Sequence, residues 1–320
     1  MNRITLPFTT DVEIKAYQNK AFALGAIKAT IKDYDTWLCN TLIECAYYTN
    51  GRFDMYNYLW NSRDDLITNE RLDLYSGILD HDGSELIALN KRNLKEGMYI
   101  NGYYNEFYIK GKGAYQQFDF SHDYVIFGYD DEKRVFKSAS YLADQRYQLH
   151  DIDYDSYYSS IIHNDVKSTC LFYRKIKACY TPKIDIEHIK TEMLHYINSS
   201  REIPYEGIVC FGLNAWDKFR EYVKITEEPM LDYRYSRVFM EHKAIMRKRL
   251  KRLWELGFLP DDFSEEYSIK VCSPAQITHH LFIKYNMTSN ADTHSNILQM
   301  IQKANECEAD ILGEIVNKYL

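Results

Sequence analysis

The chain has 320 residues, of which 46% are hydrophobic and 27% charged, and its formal net charge is −7. This composition excludes a disordered or fibrous protein, and the acidic balance argues against general nucleic-acid binding. The length predicts one large domain or two smaller ones. Tyrosine is the unusual residue, with 29 copies, and its polar-tipped ring suits partly polar cores, interfaces or pocket walls.

The cysteine pattern and the terminal sequence predict a cytoplasmic protein. The seven cysteines are scattered and form no C-x-x-C pair, which favours reduced thiols over disulfides or a zinc site. Residues 1–15 lack the apolar core of a signal peptide, and no run reaches the ~18 apolar residues of a membrane span. Because phosphate-loop, dinucleotide and zinc-peptidase motifs are absent, the sequence predicts no cofactor and no metal.

The first half of the chain is predicted to combine helices with an antiparallel sheet. Apolar residues at helical spacing predict a helix from Ala16 to Thr30, and a second that starts after Asp35 and runs through Tyr47. Runs rich in Tyr, Val, Ile and Phe then predict strands. These strands are Met98–Tyr104, Glu106–Lys110, Tyr124–Gly128, Val135–Ser140, Tyr147–His150 and Ser168–Ile176, and a short helix, Tyr154–His163, interrupts the series.

The second half is predicted to be helical. Amphipathic spacing after Pro182 indicates five helices, over Ile186–Asn198, Asn214–Lys224, Tyr233–Leu256, Pro274–Tyr285 and Ala291–Leu320. The fold class predicted is therefore α+β. It divides into an α+β domain over residues 1–180 and a helical domain over residues 181–320.

His122 is the first candidate for chemistry. It stands before an apolar strand that leads through Gly128 into the polar hairpin Tyr129–Lys133, which places an imidazole at a sheet edge where it can face a cleft. A thiol at a helix N-terminus would be stabilised as thiolate by the helix dipole. With the imidazole beside it, that thiol would be a nucleophile at neutral pH.

Two segments carry a resemblance to a known family. The strand His122–Asp130 reads H-x-x-V-I-x-G-Y-D, and Asp232–Leu250 is similar to the helical partner segment of clostridial and bacillar relatives. The chain, over about residues 15–320, resembles papain-like cysteine enzymes of the bacteriocin-processing type. It is more similar to the BtrH-type acyltransferases of butirosin biosynthesis. A related enzyme with this fold forms amide bonds in closthioamide assembly.

The resemblance implies a papain-like fold for residues 1–180 and acyl transfer from a carrier-protein thioester in secondary-metabolite (nonribosomal peptide) biosynthesis. In that family the nucleophilic Cys opens the first helix, but here that helix opens without one, and the nearest is Cys39. The third member of the triad should be Asp or Asn on the strand after the hairpin, which offers only Ser138 and Ser140. Either Cys39 acts with His122 in a looser dyad, or the chemistry has been lost.

Further residues are predicted to bind substrate. Asn19 is positioned to donate to an oxyanion, and Tyr104 and Tyr124 flank His122 and are predicted to line its pocket. Structural interpretations compete with each assignment. Cys39 among apolar neighbours also fits a small buried hydrophobe, and His122 and Asn19 also fit structural or capping roles.

The long helix predicted over Tyr233–Leu256 carries a cluster of cations, placed mostly opposite an apolar stripe. Its members Arg247, Lys248 and Lys251 are predicted to dock an acidic acyl or peptidyl carrier protein that bears a phosphopantetheine thioester. A solvated basic face, a membrane surface or RNA would also fit this charge. The full cluster is Lys243, Arg247, Lys248, Arg249, Lys251 and Arg252.

The sequence thus predicts an acyltransferase or amide-forming enzyme with Cys39 as nucleophile and His122 as base. One alternative is a catalytically degenerate relative that acts as a carrier-protein adaptor or scaffold, with a homodimer as one form. Another is a hydrolase of the thioesterase or peptidase type.

Overall fold

The structure is a computed structural model, and it describes residues 3–56, 59, 65–73, 83–164, 170–204, 206–225 and 230–320. It confirms a mixed α+β protein with an antiparallel sheet and a helical C-terminal region. The strands are β1 (Arg3–Thr5), β2 (Cys45–Tyr48), β3 (Phe53–Met55), β4 (Ile67–Asp73), β5 (Met98–Asn105), β6 (Ser121–Asp130), β7 (Val135–Tyr141), β8 (Tyr147–Asp153), β9 (Cys170–Ile176) and β10 (Ile208–Phe211).

Helices precede, interrupt and follow these strands. They are α1 (Gln18–Thr30), α2 (Tyr34–Cys39), α3 (Ser84–Lys95), α4 (Tyr154–Ile162), α5 (Ile186–Asn198), α6 (Gly212–Ile225), α7 (Tyr233–Glu255), α8 (Phe263–Tyr267), α9 (Ser273–Thr288) and α10 (Ala291–Lys318). A 3-10 turn covers Glu106–Tyr108, and a π-turn over Ser268–Cys272 joins α8 to α9.

The chain forms two compact units. Unit 1 contains residues 1–32 and 58–181, and unit 2 contains residues 33–57 and 182–320. The division drawn from the sequence places 33–57 with the first part, whereas in the structure this segment packs with the C-terminal helices. Its β2 pairs with β10, and its α2 packs on α7.

Unit 1 is built on an antiparallel sheet in the order β4-β9-β5-β6-β7-β8, with β1 paired to the far end of β6. Helices α3 and α4 cover its core, and α1 packs on β6, β7 and β9. The core is rich in tyrosine, and some of the buried Tyr hydroxyls are hydrogen-bonded there, as where Tyr173 donates to Asn90. Its fully buried members include Leu86, Ile100, Tyr104, Tyr124, Ile126, Phe136 and Tyr157.

The sequence predicts most of this sheet. Strands β5 to β8 and helix α4 are confirmed, with ends that differ by a few residues. The predicted strand 168–176 starts at residues outside the described part of the chain, and β9 confirms the rest. The predicted strand Glu106–Lys110 is wrong. The Asn105 side chain accepts a hydrogen bond from the Phe107 N–H and so turns the chain into a 3-10 turn.

Unit 2 confirms the helices predicted after Pro182, which appear as α5, α6, α7, α9 and α10. The helix predicted after Asp35 and through Tyr47 is confirmed as far as Cys39 and is wrong beyond it. Helix α2 is capped by Asp33, whose carboxylate accepts from the Thr36 N–H, and it ends at Cys39. Leu42 then adopts a φ of +57°, which a helix cannot accommodate, and the chain enters β2.

Helix α7 crosses the interior of unit 2 and buries the ammonium of Lys243 completely. Lys243 forms an ion pair with Glu308 of α10 and donates to the Tyr196 hydroxyl at 2.9 Å. Both Tyr196 and Tyr267 donate to the same carboxylate, and the Trp216 indole donates to the Tyr196 hydroxyl at 2.8 Å. The buried charges are therefore paired and hydrogen-bonded, which is what their desolvation requires.

Candidate active site

His122 is the second residue of β6, opposite Tyr104 of β5 in the antiparallel register. The strand, the hairpin after Gly128 and the following strand β7 are as predicted. The His122 side chain is 34% exposed. It therefore lies at the end of the sheet where solvent or a ligand reaches it.

Glu106 orients the His122 ring. The 3-10 turn after β5 brings its carboxylate to 2.7 Å from His122 Nδ1, and the Glu106 N–H donates to the Phe120 carbonyl at 2.8 Å. A neutral imidazole beside an ionised carboxylate donates from Nδ1, which leaves Nε2 as the proton acceptor. The pair therefore has the geometry of a general base with its orienting carboxylate.

Lys112 contacts the same carboxylate oxygen of Glu106 as His122 does. The Lys112 side chain is buried. Its Nζ lies 2.9 Å from Glu106 Oε1 and 5.6 Å from the centre of the Tyr104 ring. Burial on its own would raise the pKa of Glu106, but the hydrogen bond from His122 and the charge of Lys112 more than offset it and lower that pKa. Glu106 is therefore a carboxylate at neutral pH. Burial in turn lowers the pKa of Lys112, and Glu106 opposes this shift.

Asp123 stands on the Nε2 side of the ring. Its Oδ1 lies 3.4 Å from His122 Nε2, and the amide of Gln18 donates to the Asp123 carbonyl at 2.8 Å and to Oδ1 at 2.9 Å. Gln18 is the first residue of α1, so the side chain that holds Asp123 comes from the N-terminal end of that helix. A proton accepted at Nε2 is stabilised by this second anion.

The surroundings of His122 are aromatic on one side. The Phe120 ring lies 5.1 Å from the imidazole, and Phe118 packs edge-on against Phe120. Both phenylalanines are large and exposed, at 44% and 56%. The two rings therefore form an exposed apolar surface next to the imidazole.

The two serines of β7 do not serve His122. Ser138 donates to the Val125 carbonyl, and Ser140 is hydrogen-bonded to Nε2 of His150 at 2.8 Å. Burial and the nearby Lys112 lower the pKa of His150 to about 4, so this second imidazole is neutral at physiological pH. The carboxylate beside His122 comes from Glu106, which precedes His122 in the chain.

The tyrosines predicted to line the pocket are in the core. Tyr104 and Tyr124 are fully buried and stack with ring centres 4.9 Å apart. The Tyr124 hydroxyl is hydrogen-bonded to that of Tyr157 at 2.7 Å. This burial differs from the predicted role, because both rings pack beneath the site and present no open wall. Asn19 is exposed in the first turn of α1, and its side chain accepts from the Lys20 N–H.

Cys39 lies in unit 2, whereas His122 lies in unit 1. It is the last residue of α2 and is 2% exposed, and its Sγ donates to the Arg249 carbonyl at 3.8 Å. Burial raises the pKa of this thiol to about 11, although Arg249 and Arg252 oppose the shift. The sequence places Cys39 in the first turns of a helix, but the C-terminal end that it occupies disfavours a thiolate. The thiol is therefore protonated at neutral pH.

The basic cluster of α7 is smaller than the sequence predicts. Arg247 and Lys248 are exposed, and Lys251 pairs with Asp262 at 2.8 Å. Lys243 and Arg249 are buried, which corrects their placement on an outer face. Arg249 donates to the Cys39 carbonyl at 2.9 Å, so hydrogen bonds to a chain segment remote in sequence hold it inside.

Comparison with known proteins identifies no family. No protein-family model matches the chain, and no curated protein matches it. Within the described ranges, no helix combines the length and apolar character that crossing a membrane requires. In that same part of the chain, no three or more His, Cys, Asp or Glu side chains gather as metal ligands would.

Proposed function

We propose that the chain is an acyltransferase of papain-like fold that transfers an acyl group directly from a carrier-protein thioester to an amine. His122 is its general base, and no acyl-enzyme forms. The observation that carries this proposal is the 2.7 Å hydrogen bond between His122, whose ring is partly exposed, and the buried carboxylate of Glu106. The substrate class follows from the resemblance of His122–Asp130 and Asp232–Leu250 to the butirosin-type acyltransferases.

The chemistry needs one proton acceptor. The amine nitrogen attacks the thioester carbonyl carbon, and the new C–N bond forms as His122 Nε2 removes the N–H proton. The tetrahedral intermediate then collapses, the C–S bond breaks, and the imidazolium returns the proton to the departing sulfur. The products are an amide and a thiol, and the protein ends unchanged. Asp123 and Glu106 stabilise the imidazolium between the two steps.

Direct transfer accounts for the state of Cys39 better than a thiol mechanism does. A nucleophilic cysteine needs an exposed thiolate next to a base. Cys39 is buried, its pKa is raised to about 11, and its Sγ donates to a backbone carbonyl. These features describe a small residue that packs the interior of unit 2.

A second candidate function is a non-catalytic adaptor that binds the carrier protein. The observation that favours it is the first turn of α1, where the resembled family has its nucleophile and this chain has Gln18. The Gln18 amide donates hydrogen bonds to Asp123, the residue after His122 on the same strand. An adaptor would retain the helix and strand arrangement of a papain-like site without turning over a thioester.

The proposed partner is an acidic carrier protein bearing a phosphopantetheine thioester in the cytoplasm. The exposed cations Arg247 and Lys248 on α7 support an electrostatic contact with it. The reaction as written needs no cofactor, because His122 moves the only proton that is transferred.

Replacement of Cys39 tests the direct mechanism. A short-chain acyl thioester of N-acetylcysteamine serves as donor, a primary alkylamine as acceptor, and the amide is quantified by mass spectrometry. We expect Cys39→Ala to retain the wild-type rate within about twofold, since the thiol takes no part. The matched control is Cys45→Ala, which removes another buried thiol of unit 2. Loss of amide formation in Cys39→Ala alone would overturn the proposal in favour of a thiol nucleophile.

A further inference from the structure

Lys112 occupies an unusual place for a lysine. It lies in a turn between Gly111 and Gly113, where Gly111 has a φ of +89°, a conformation that favours glycine. The Gly111 carbonyl accepts from the Ala143 N–H at 2.9 Å, which ties the turn to the loop between β7 and β8. The turn therefore directs the Lys112 side chain inward, where it is 1% exposed.

The groups that face the ammonium belong to the His122 site. Glu106 Oε1 lies 2.9 Å from Nζ, and the face of Tyr104 lies on another side. Asp123 and His150 are close enough to interact with its charge. Burying an ammonium costs free energy that an apolar side chain of similar length would not incur. The position therefore makes sense if the charge acts on its neighbours.

The charge of Lys112 acts on His122 through Glu106. An ionised Glu106 requires a proton on Nδ1 of His122 and leaves Nε2 as the base. Without that cation, only His122 would oppose the effect of burial, which raises the pKa of Glu106 and favours the neutral carboxylic acid. A protonated Glu106 would then be free to donate to Nδ1, which would put the ring in the wrong tautomer for a base at Nε2.

We propose that Lys112 is a positioning residue of the active site: its ammonium keeps Glu106 a carboxylate and thereby holds His122 in the tautomer with Nε2 as the base. This inference rests on the proposed function, because a general base is what the tautomer serves. It assigns the Gly111–Gly113 turn a role beyond reversing the chain.

Three variants of the full-length chain test the proposal. Lys112→Met removes the charge with similar length, Lys112→Arg retains it, and Lys110→Met is the control at an exposed position of the same turn. The first readout is the pair of His122 side-chain nitrogen shifts, measured by long-range ¹H–¹⁵N NMR across pH. The second is the pH dependence of kcat and of KM for thioester aminolysis.

We expect wild type, Lys110→Met and Lys112→Arg to show the Nδ1–H tautomer. Lys112→Met should show mixed tautomers and an acid limb of the pH–rate profile moved up by roughly one pH unit, because loss of a cation lets the Glu106–His122 pair bind a proton more tightly. Its kcat should fall about tenfold with KM nearly unchanged. If the methionine variant does not fold, Lys112→Gln is used in its place, and the same tautomer and pH–rate changes are expected.

An unchanged tautomer and acid limb in the uncharged variant would overturn the role of Lys112. The NMR readout does not need turnover. If wild type forms no amide while the tautomer still depends on Lys112, the proposed transfer fails and the positioning role stands. If the uncharged variant forms amide at the wild-type rate and its His122 keeps the wild-type tautomer, the transfer stands and the positioning role fails.

Discussion

Replacement of His122 by alanine is expected to lower kcat/KM for amide formation by about 10² to 10⁴, the usual contribution of a positioned general base. In the proposed mechanism the imidazole at the exposed end of β6 is the proton acceptor, and its Nδ1 lies 2.7 Å from the Glu106 carboxylate. Without it, the attacking amine must lose its proton to water. The rate is measured with the model thioester and amine under conditions where the uncatalysed reaction is subtracted.

The matched control is His163→Ala. His163 is an exposed histidine of the same unit, at the end of α4, and its ring bonds to the Ser159 carbonyl. Added imidazole should restore part of the rate to His122→Ala, since it enters the space that the side chain leaves. A rate in His122→Ala equal to that of His163→Ala would contradict a catalytic role and would favour the adaptor.

Replacement of Lys243 by methionine is expected to lower the free energy of unfolding by about 3 kcal/mol or more, because it leaves the buried carboxylate of Glu308 without its cation. Both side chains of the pair are fully buried, and the Lys243 ammonium also lies 4.6 Å from the centre of the Trp216 ring. Urea denaturation measures the loss. The double variant Lys243→Met with Glu308→Gln should recover part of it, since the neutral amide oxygen accepts from one of the two tyrosines and the amide NH2 donates to the hydroxyl of the other.

The matched control for that stability change is Lys251→Met on the same helix. Lys251 pairs with Asp262 at the surface, and exposed pairs contribute about 0 to 1 kcal/mol. Equal losses in Lys243→Met and Lys251→Met would show that the interior ion pair does not support unit 2.

The parts of the fold that the sequence predicts are those in which apolar residues repeat with the period of a strand or a helix. The alternating strands on either side of the Tyr129–Lys133 hairpin and the amphipathic helices α5, α6, α7, α9 and α10 are read from local pattern. The apolar run after Asp35 fits a helix as well as a strand at that length. The structure resolves it through tertiary pairing, because residues 45–48 form β2 between β3 and β10.

The site is less predictable because its parts are distant in the chain. The His122 strand is visible in the sequence, but Glu106 reaches it only through the register that pairs Tyr104 with His122. Pairing register and a 3-10 turn have no signature in a single sequence. Lys112 lies in a turn between two glycines, and the inward direction of its side chain depends on partners such as Glu106 that a single sequence does not reveal.

The burial of two cations of helix α7 is also not predictable from the local sequence. Lys243 and Arg249 are indistinguishable from the neighbouring surface cations by residue type. Their partners lie far away in sequence, at Glu308 and at the backbone of residues 39 and 41. A helical wheel of one segment therefore assigns them to an outer face, whereas packing of several segments places them inside.

Direct transfer through His122 is tested most directly by the intact mass of the protein during turnover. Wild-type protein is mixed with the thioester and the amine, quenched in acid at successive times, and weighed by mass spectrometry while the amide is quantified in the same samples. The account predicts an unmodified protein mass at every time as amide accumulates. A species heavier by one acyl group, mapped to a cysteine and consumed at the rate of amide formation, would contradict it.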